Sequence, residues 1–395
     1  MRDNTAVRPF RPGVTPESAL MDLRRRVAAT RWPDKETAPG KSQGVPLETI
    51  QTIARYWATE YDWRKFEAWL NAIPQFVTEI DGLDIQFIHV RSSHEGAIPM
   101  ILTHGWSGSI VELLKVIDPL TRPTAYGAPA SDAFHVVIPS LPGYGFSSKP
   151  TKPGWDIPRI ARAWAVLMNR LGYTKYAAQG GDWGALVSDM MGVQQVPGLF
   201  AIHSNMPGTV PPAYETAIIN GDPMPTDLTQ DQKNAWMQLD FFYQHVGYSQ
   251  IMGKRPQTLT GLADSPAGLA AFNLDHDAKS LDLISGAFFG HPGGISRDDF
   301  LDNITLYWLT NTAISAARLY WENKLPFFSV KGVNNIPIAI SVFPDELYQA
   351  PLSWAKEAYP KLFYYKRVAR GGHFAAWQVP MLFSDELRMA FRPFR

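Results

Sequence analysis

The stretch AAQGGDWGALVSDMM, residues 177–191, joins a short apolar strand to an apolar helix through Gly180-Gly181-Asp182-Trp183-Gly184. Strand, sharp turn and helix are the setting that a G-x-nucleophile-x-G elbow requires. Such a turn forces its central residue into a sparsely populated backbone conformation, so the neighbours must be small. The helix that begins there favours an anion at its N-terminus. Here the central residue is an aspartate. A Gly-rich strand-to-helix turn can also be purely structural, so the meaning of Asp182 depends on the partners found elsewhere in the chain.

Outward from the elbow, short apolar strands recur at IPMILTH, AFHVVIPS, KYAAQ, LFAIHSN, IPIAISVF and LFYYKRV, mostly separated by helix-like stretches such as DIPRIARAWAVLMNRLG and ALVSDMMGVQQ. Strands alternating with helices predict an α/β fold with a mainly parallel, doubly wound sheet. QFVTEIDGLDIQFIHV alternates on both sides of Asp81-Gly82, a strong hairpin signal at the start of the sheet. Upstream, Thr15, Pro16 and Glu17 read as N-cap, first helical residue and early acid of a helix running to about Thr30. PLETIQTIARYWATEYDWRKFEAWLNAI reads as a second helical region ending before Pro74. From about Pro207 to Leu325 the strand signal gives way to helical segments. The expected organisation is an N-terminal helical extension over 1–75, a first part of the core over 76–206, an inserted helical cap over 207–325 and a second part of the core over 326–395.

Composition narrows the chemistry. The 395 residues are 45% hydrophobic, and 37 Lys and Arg balance 37 Asp and Glu, which leaves no net charge for a phosphate backbone or an anionic membrane. Nucleic acid is therefore not an expected partner. Without cysteine there is no thiolate nucleophile, no disulfide framework and no cysteine-held zinc. No apolar h-region opens the chain and no stretch approaches the roughly 20 apolar residues that span a bilayer, so the expectation is a cytoplasmic protein with no membrane anchor. Thirteen tryptophans and 12% aromatic residues suit an apolar pocket. No cofactor or metal is expected.

The elbow has partners. THGWSGS, residues 103–109, follows a strand and has the form of a backbone loop that supplies one N–H of an oxyanion hole, from Trp106, with the second from Trp183. Of nine histidines, His373 alone lies beyond the last strand, in the glycine-led GGHFAAW. His89, His135 and His203 fall in strands, His94, His276 and His291 read as loop residues, and His245 is ambiguous. An acid to orient His373 should follow the preceding strand, where SVFPDELY offers both Asp345 and Glu346. The order nucleophile, acid, histidine is that of α/β-hydrolases. Serine in an elbow needs a base to become nucleophilic, whereas aspartate is already ionised at neutral pH. Asp182 can attack an sp³ carbon directly, displace an oxygen or a halide and form an ester. His373 is then free to activate water against that ester, and the oxyanion hole serves this second step.

With these residues in place, the chain resembles the epoxide hydrolases of the microsomal and juvenile-hormone type along nearly its whole length. The resemblance rests on RPFRPGVTPESALMDLRRRVAATRWPD, YDWRKFEAWLNAIPQFVTEIDGLDIQFIHVRS, HGWSGS, PSLPGYGFSSKP, GGDWG, GKRPQTLTGLADSPAGLAAF, FPDE and GGHFAAW, in that order. It implies Asp182 as nucleophile, His373 as water-activating base and, by alignment on Phe-Pro-x-acid, Glu346 as its acid, with Asp345 second. It also implies two cap tyrosines that bind and protonate the epoxide oxygen, matching Tyr248 in GYSQIMGKRPQT and Tyr320 in ARLYWEN. The implied substrates are a small apolar epoxide and water, with a homodimer left open. Two departures stand out: microsomal relatives start with a hydrophobic anchor, whereas this chain begins at the helical extension, and Ser107 stands where relatives commonly have proline. A haloalkane dehalogenase, with Trp106 and Trp183 as halide donors, is the nearest alternative. A non-catalytic hormone-binding protein on the same scaffold is the other.

Overall fold

A computed structural model describes residues 5–395. Its sheet contains β1 (Arg8–Phe10), β2 (Gln75–Ile80), β3 (Leu83–Val90), β4 (Ile98–Thr103), β5 (Phe134–Pro139), β6 (Tyr176–Gly180), β7 (Leu199–Ser204), β8 (Ile338–Val342) and β9 (Leu362–Arg367). The order across the sheet is β1-β2-β3-β5-β4-β6-β7-β8-β9. Pairing is antiparallel from β1 to β5 and parallel from β5 to β9. Asp81 and Gly82 both take positive φ, 51° and 78°, which gives the two-residue turn between β2 and β3 a twist that suits antiparallel strands. In β6 and β8 every residue is buried, as continuous apolar strands covered by helices on both faces must be. The loops that leave the carboxyl ends of β4, β6, β7, β8 and β9 therefore converge on one edge, where open α/β sheets place their sites.

The N-terminal stretch departs from its reading in three ways. Thr15 does not cap the first helix, Glu17–Ala28, which has no side-chain cap at all; its hydroxyl instead accepts from Trp63 Nε1 at 2.9 Å. The second helical region is two helices, Leu47–Thr59 and Trp63–Ala72, because Asp62 accepts from the Arg64 N–H at 3.0 Å and starts a new helix there. The extension is also not wholly helical, since β1 adds an edge strand to β2. Three residues are too few to show an alternating pattern.

Between β7 and β8 lie the helices Pro212–Asn220, Gln230–His245, Tyr248–Lys254, Pro266–Leu274, Ala278–Phe288, Arg297–Thr310 and Ala313–Glu322. The extension braces this lobe: Trp57 Nε1 donates to Thr305 Oγ1 at 3.0 Å and the Tyr61 hydroxyl to Asp302 Oδ1 at 2.7 Å. The same helix, 297–310, grips the loop after β4. Asn303 Nδ2 donates to the Ser107 carbonyl at 2.8 Å, and the Tyr307 hydroxyl donates to the Gly108 carbonyl at 2.7 Å. Among the described residues no helix is long and apolar enough to cross a membrane.

Candidate active site

Asp182 opens the helix Asp182–Val193 with φ of 47°, a conformation that costs a non-glycine residue about 1–3 kcal/mol and persists only where the surroundings impose it. They do so by close approach. A Cβ on Gly180 would lie 2.0 Å from the Gly184 carbonyl group, and one on Gly184 would lie 1.9 Å from the Thr103 carbonyl oxygen. The glycines of the elbow are thus required by contact between β6, β4 and the helix, and the turn they allow aims the Asp182 side chain at the sheet edge.

The two oxygens of the Asp182 carboxylate are not equivalent. Oδ1 accepts from the Trp106 N–H at 2.8 Å, and the Trp183 N–H also faces the carboxylate. Oδ2 is buried, has no hydrogen-bond partner in the protein and lies 3.8 Å from His373 Nε2. Burial pushes the Asp182 pKa up, against the pull of His373, His276 and the two N–H groups, and the net direction is upward. The peptide Trp106–Ser107 is cis, and the Ser107 hydroxyl donates to the Asn273 carbonyl at 2.7 Å. Ser107 thereby ties the β4 loop to the helical lobe.

His373 lies beyond β9, and its Nδ1 pairs with Glu346 Oε1 at 2.6 Å. Glu346 is held in turn by the Leu347 N–H at 2.8 Å and by Asn205 Nδ2 at 3.5 Å. Its neighbour Asp345 turns away: the side chain is 44% exposed and 3.7 Å from Lys279, while its backbone bridges to Gly372. Of the two acids the sequence offers, Glu346 is therefore the one at the imidazole. Burial works to lower the His373 pKa, but the charges of Glu346, Asp182 and Asp277 outweigh it and raise it to about 10.

Tyr248 and Tyr320 both reach this site from the helical lobe and both are buried. The Tyr248 ring lies 4.4 Å from that of Trp106, Tyr320 lies 4.5 Å from Trp183, and the two phenol rings are 6.0 Å apart. The Tyr320 hydroxyl has no hydrogen-bond partner in the protein. Burial above all, and then the charge of Asp182, pushes both phenols well above their ordinary pKa, so they stay protonated and available as donors.

In the sequence His276 reads only as a loop residue. It is in a loop, yet it is buried, with its ring 4.1 Å from that of His373 and 5.3 Å from that of Tyr248. His276 Nδ1 pairs with Asp277 Oδ2 at 2.8 Å, and Nε2 has no partner. Asp182, His276 and His373 each offer an atom within 4.8 Å of the others, the one such cluster among the described residues that could hold a cation. The remaining strand histidines are structural: His89 bonds Tyr173, His135 accepts from the Ser92 N–H, and His203 bonds Ser341. Glu112, Gln179 and Asn205, also unremarked in the sequence, line a small cavity against Asp182.

Known proteins sharpen the picture. Residues 7–113 match the family described as the epoxide hydrolase N terminus, and residues 98–240 match the alpha/beta hydrolase fold. The chain is 50% identical to the protein named "Putative epoxide hydrolase" of Stigmatella aurantiaca, covering 98% of this chain and 86% of that one. It is 34% identical to epoxide hydrolase 1 of Sus scrofa, covering 98% of this chain and 88% of the relative. The crystal structure of juvenile hormone epoxide hydrolase from the silkworm Bombyx mori superposes with a TM-score of 0.86 at 30% identity, over 100% of this chain and 96% of that chain.

Proposed function

The chain belongs to the epoxide hydrolases, built on the α/β-hydrolase fold, and from that premise we propose how its own residues divide the reaction. Its substrates are an epoxide and water. The observation that carries the proposal is the asymmetry of Asp182: one oxygen held by the Trp106 N–H, the other buried, unpartnered and beside His373.

Oδ2 attacks an epoxide carbon, the carbon–oxygen bond of the ring breaks, and Tyr248 and Tyr320 donate to the departing oxygen. Oδ1 becomes the carbonyl oxygen of the ester and stays on the Trp106 and Trp183 N–H groups. Ring opening consumes a proton, and the raised pKa of His373 supplies one: alkylation removes the charge of Asp182, one of the anions that holds the imidazole protonated. His373 releases its proton to replace the one given by the phenols and becomes the base that the second step needs. Water then adds to the ester carbonyl while His373 takes its proton, the N–H pair holds the oxyanion, and collapse releases the diol. The cycle ends with Asp182 anionic and His373 protonated, as it began. Residues 207–325 act as the cap that carries the phenols, and the aromatic rings around Trp106 favour an apolar epoxide. A halide leaves without needing a proton, so paired buried phenols give a dehalogenase no advantage.

A single turnover in ¹⁸O-water tests the reading. The label is expected in Asp182 and not in the first diol released; label in that first diol means direct attack by water and removes the ester. A cytoplasmic site of action, testable by cell fractionation, and a homodimer, testable by sedimentation, are proposals carried from the sequence.

A further inference from the structure

A cavity of about 20 Å³ lies against Asp182, walled by Thr103, Glu112, Gln179, Asn205 and His373 among others. That is room for one water molecule. Three of its wall residues carry a buried oxygen without a partner in the protein: Glu112 Oε2, Gln179 Oε1 and Asp182 Oδ2. Buried polar atoms without partners are rare, and three around one water-sized space point to a water.

The surrounding hydrogen bonds determine what each wall group presents. Glu346, which holds His373, can only accept, so Asn205 must turn its NH₂ toward Glu346 Oε2 at 3.5 Å. The Asn205 carbonyl then faces Gln179, whose Nε2 donates to it at 2.9 Å. Gln179 is thereby left with its carbonyl oxygen toward the cavity, an acceptor. His373 Nε2, once deprotonated, is a second acceptor. These two take both protons of a water, which leaves one lone pair for the ester carbon and one in need of a donor.

We infer that this cavity seats the water that hydrolyses the Asp182 ester, and that Glu112 orients it as a neutral carboxylic acid whose O–H donates to the water. The inference rests on the ester mechanism above. Glu112 sits in the tight turn Ile110–Leu113, and the titratable groups that face it are Asp182, His373, Glu346 and the phenols of Tyr144 and Tyr307. Burial raises its pKa to about 8, with Asp182 and Glu346 adding to the rise and His373 and the Gly105 N–H opposing it. Ionised, it would become a third acceptor, compete with His373 for the water's protons and turn the lone pairs away from the ester. In the step itself the water oxygen bonds to the Asp182 carboxyl carbon, one proton passes to His373, and the carbonyl electron pair moves to Oδ1. When that pair returns, the bond to the diol oxygen breaks, and this oxygen takes the second proton.

The test is a quenched single turnover with styrene oxide, with the alkyl-enzyme followed by intact mass. Glu112→Leu removes the donor and is expected to slow ester hydrolysis about 10²-fold while slowing ester formation far less. Glu112→Gln keeps a donor of the same shape that cannot ionise. It is expected to lose only about threefold at pH 7 and to lack the fall in hydrolysis rate that ionisation of Glu112 should cause in the wild type as pH rises through about 8. Wild-type hydrolysis in Glu112→Leu overturns the inference, as does Glu112→Gln as slow as Glu112→Leu, which would make the carboxylate a base. If Glu112→Leu does not fold, the alkaline limb of Glu112→Gln decides alone: a limb still present overturns the inference. Failure of the ester reading itself looks different, because no adduct then forms in the wild type and the ¹⁸O label misses Asp182.

Discussion

Two imidazole–carboxylate pairs face each other in this site, with rings 4.1 Å apart, and they are built in opposite ways. His373 and Glu346 are 27 residues apart and meet because β8 and β9 run parallel and end at the same edge. His276 and Asp277 are neighbours in one loop of the helical lobe between β7 and β8, the proposed cap. The core pair is fixed on its far side by the Leu347 N–H and Asn205, and it points its free nitrogen at Asp182. The cap pair lies against Tyr248, 5.3 Å from ring to ring, on the side where the phenols sit. The difference suggests a division of labour in which the core hydrolyses the ester and the cap opens the ring.

The sharpest way to break that division is to disable each imidazole in turn. His373→Gln is expected to abolish turnover, by at least about 10³-fold, while the Asp182 ester still forms and accumulates, because a carboxylate nucleophile needs no base. Glu346→Ala should slow the same step, and Asp345→Ala, on an exposed side chain, should not. His276→Gln should turn over and leave no accumulated ester. Mass spectrometry of the four variants after mixing with substrate reads the outcome. No adduct in His373→Gln, or an adduct trapped in His276→Gln, reverses the assignment of the two pairs.

That comparison also explains what the sequence could say. Asp182 was legible because its turn imposes glycines by contact, a steric demand that leaves a local mark. His373 was legible because strand ends converge, so a histidine after the last strand has a known destination. The choice between Asp345 and Glu346 was not, since adjacent loop residues differ only in which way the backbone turns them, and here the bridge from Asp345 to Gly372 decides. His276, Glu112 and Asn205 leave no local mark either. They belong to the site only because distant elements pack there, and Tyr248 and Tyr320 were found by resemblance alone. The same limit applies to β1, three residues long, and to Thr15, whose cap was lost to a contact with Trp63 48 residues away.

The next largest effect should lie on the cap side. Two phenols converging on one oxygen polarise the breaking bond and stabilise the alkoxide, and a positioned proton donor is worth roughly 10² to 10⁴ in rate. Tyr248→Phe and Tyr320→Phe should each slow ester formation with little change in its hydrolysis, the mirror image of His373→Gln, and the double variant should be nearly inactive. Rapid-quench measurement of both steps separates the two. If both single variants alkylate at the wild-type rate, the cap does not open the ring and the comparison collapses.

The smallest effect sharpens the comparison most, because it asks whether the cap pair acts on the core pair at all. Asp277 is buried, which pushes its pKa up, but the hydrogen bond with His276 and the charge of His373 outweigh this and hold it at about 2, so it is an anion throughout the working range. Its charge is one of those that raise His373. Asp277→Asn removes that charge yet keeps its carbonyl oxygen as acceptor for the Ser280 N–H it caps at 2.8 Å, so the helix Ala278–Phe288 is preserved, while its NH₂ replaces the oxygen that faces His276 Nδ1. With one anion fewer, the His373 pKa falls in both the resting enzyme and the ester. In the ester, His373 must be neutral to accept a proton from water, so a lower pKa makes it available at lower pH. The acid limb of the hydrolysis step should therefore move down by about half a unit to one unit, a gain of up to about tenfold on that limb with the plateau unchanged. Linkage gives a second reading of the same sign. A His373 pKa raised to about 10 contributes stability that is complete below its unfolded value near 6.5 and is lost as pH rises toward 10. In Asp277→Asn that loss should begin at the same pH but end sooner and be smaller in total, visible as a shallower fall of Tm between pH 7 and 10. An acid limb that stays in place, or moves up, would mean that the charge of the cap pair does not reach His373 and that the two pairs share a site without sharing the reaction.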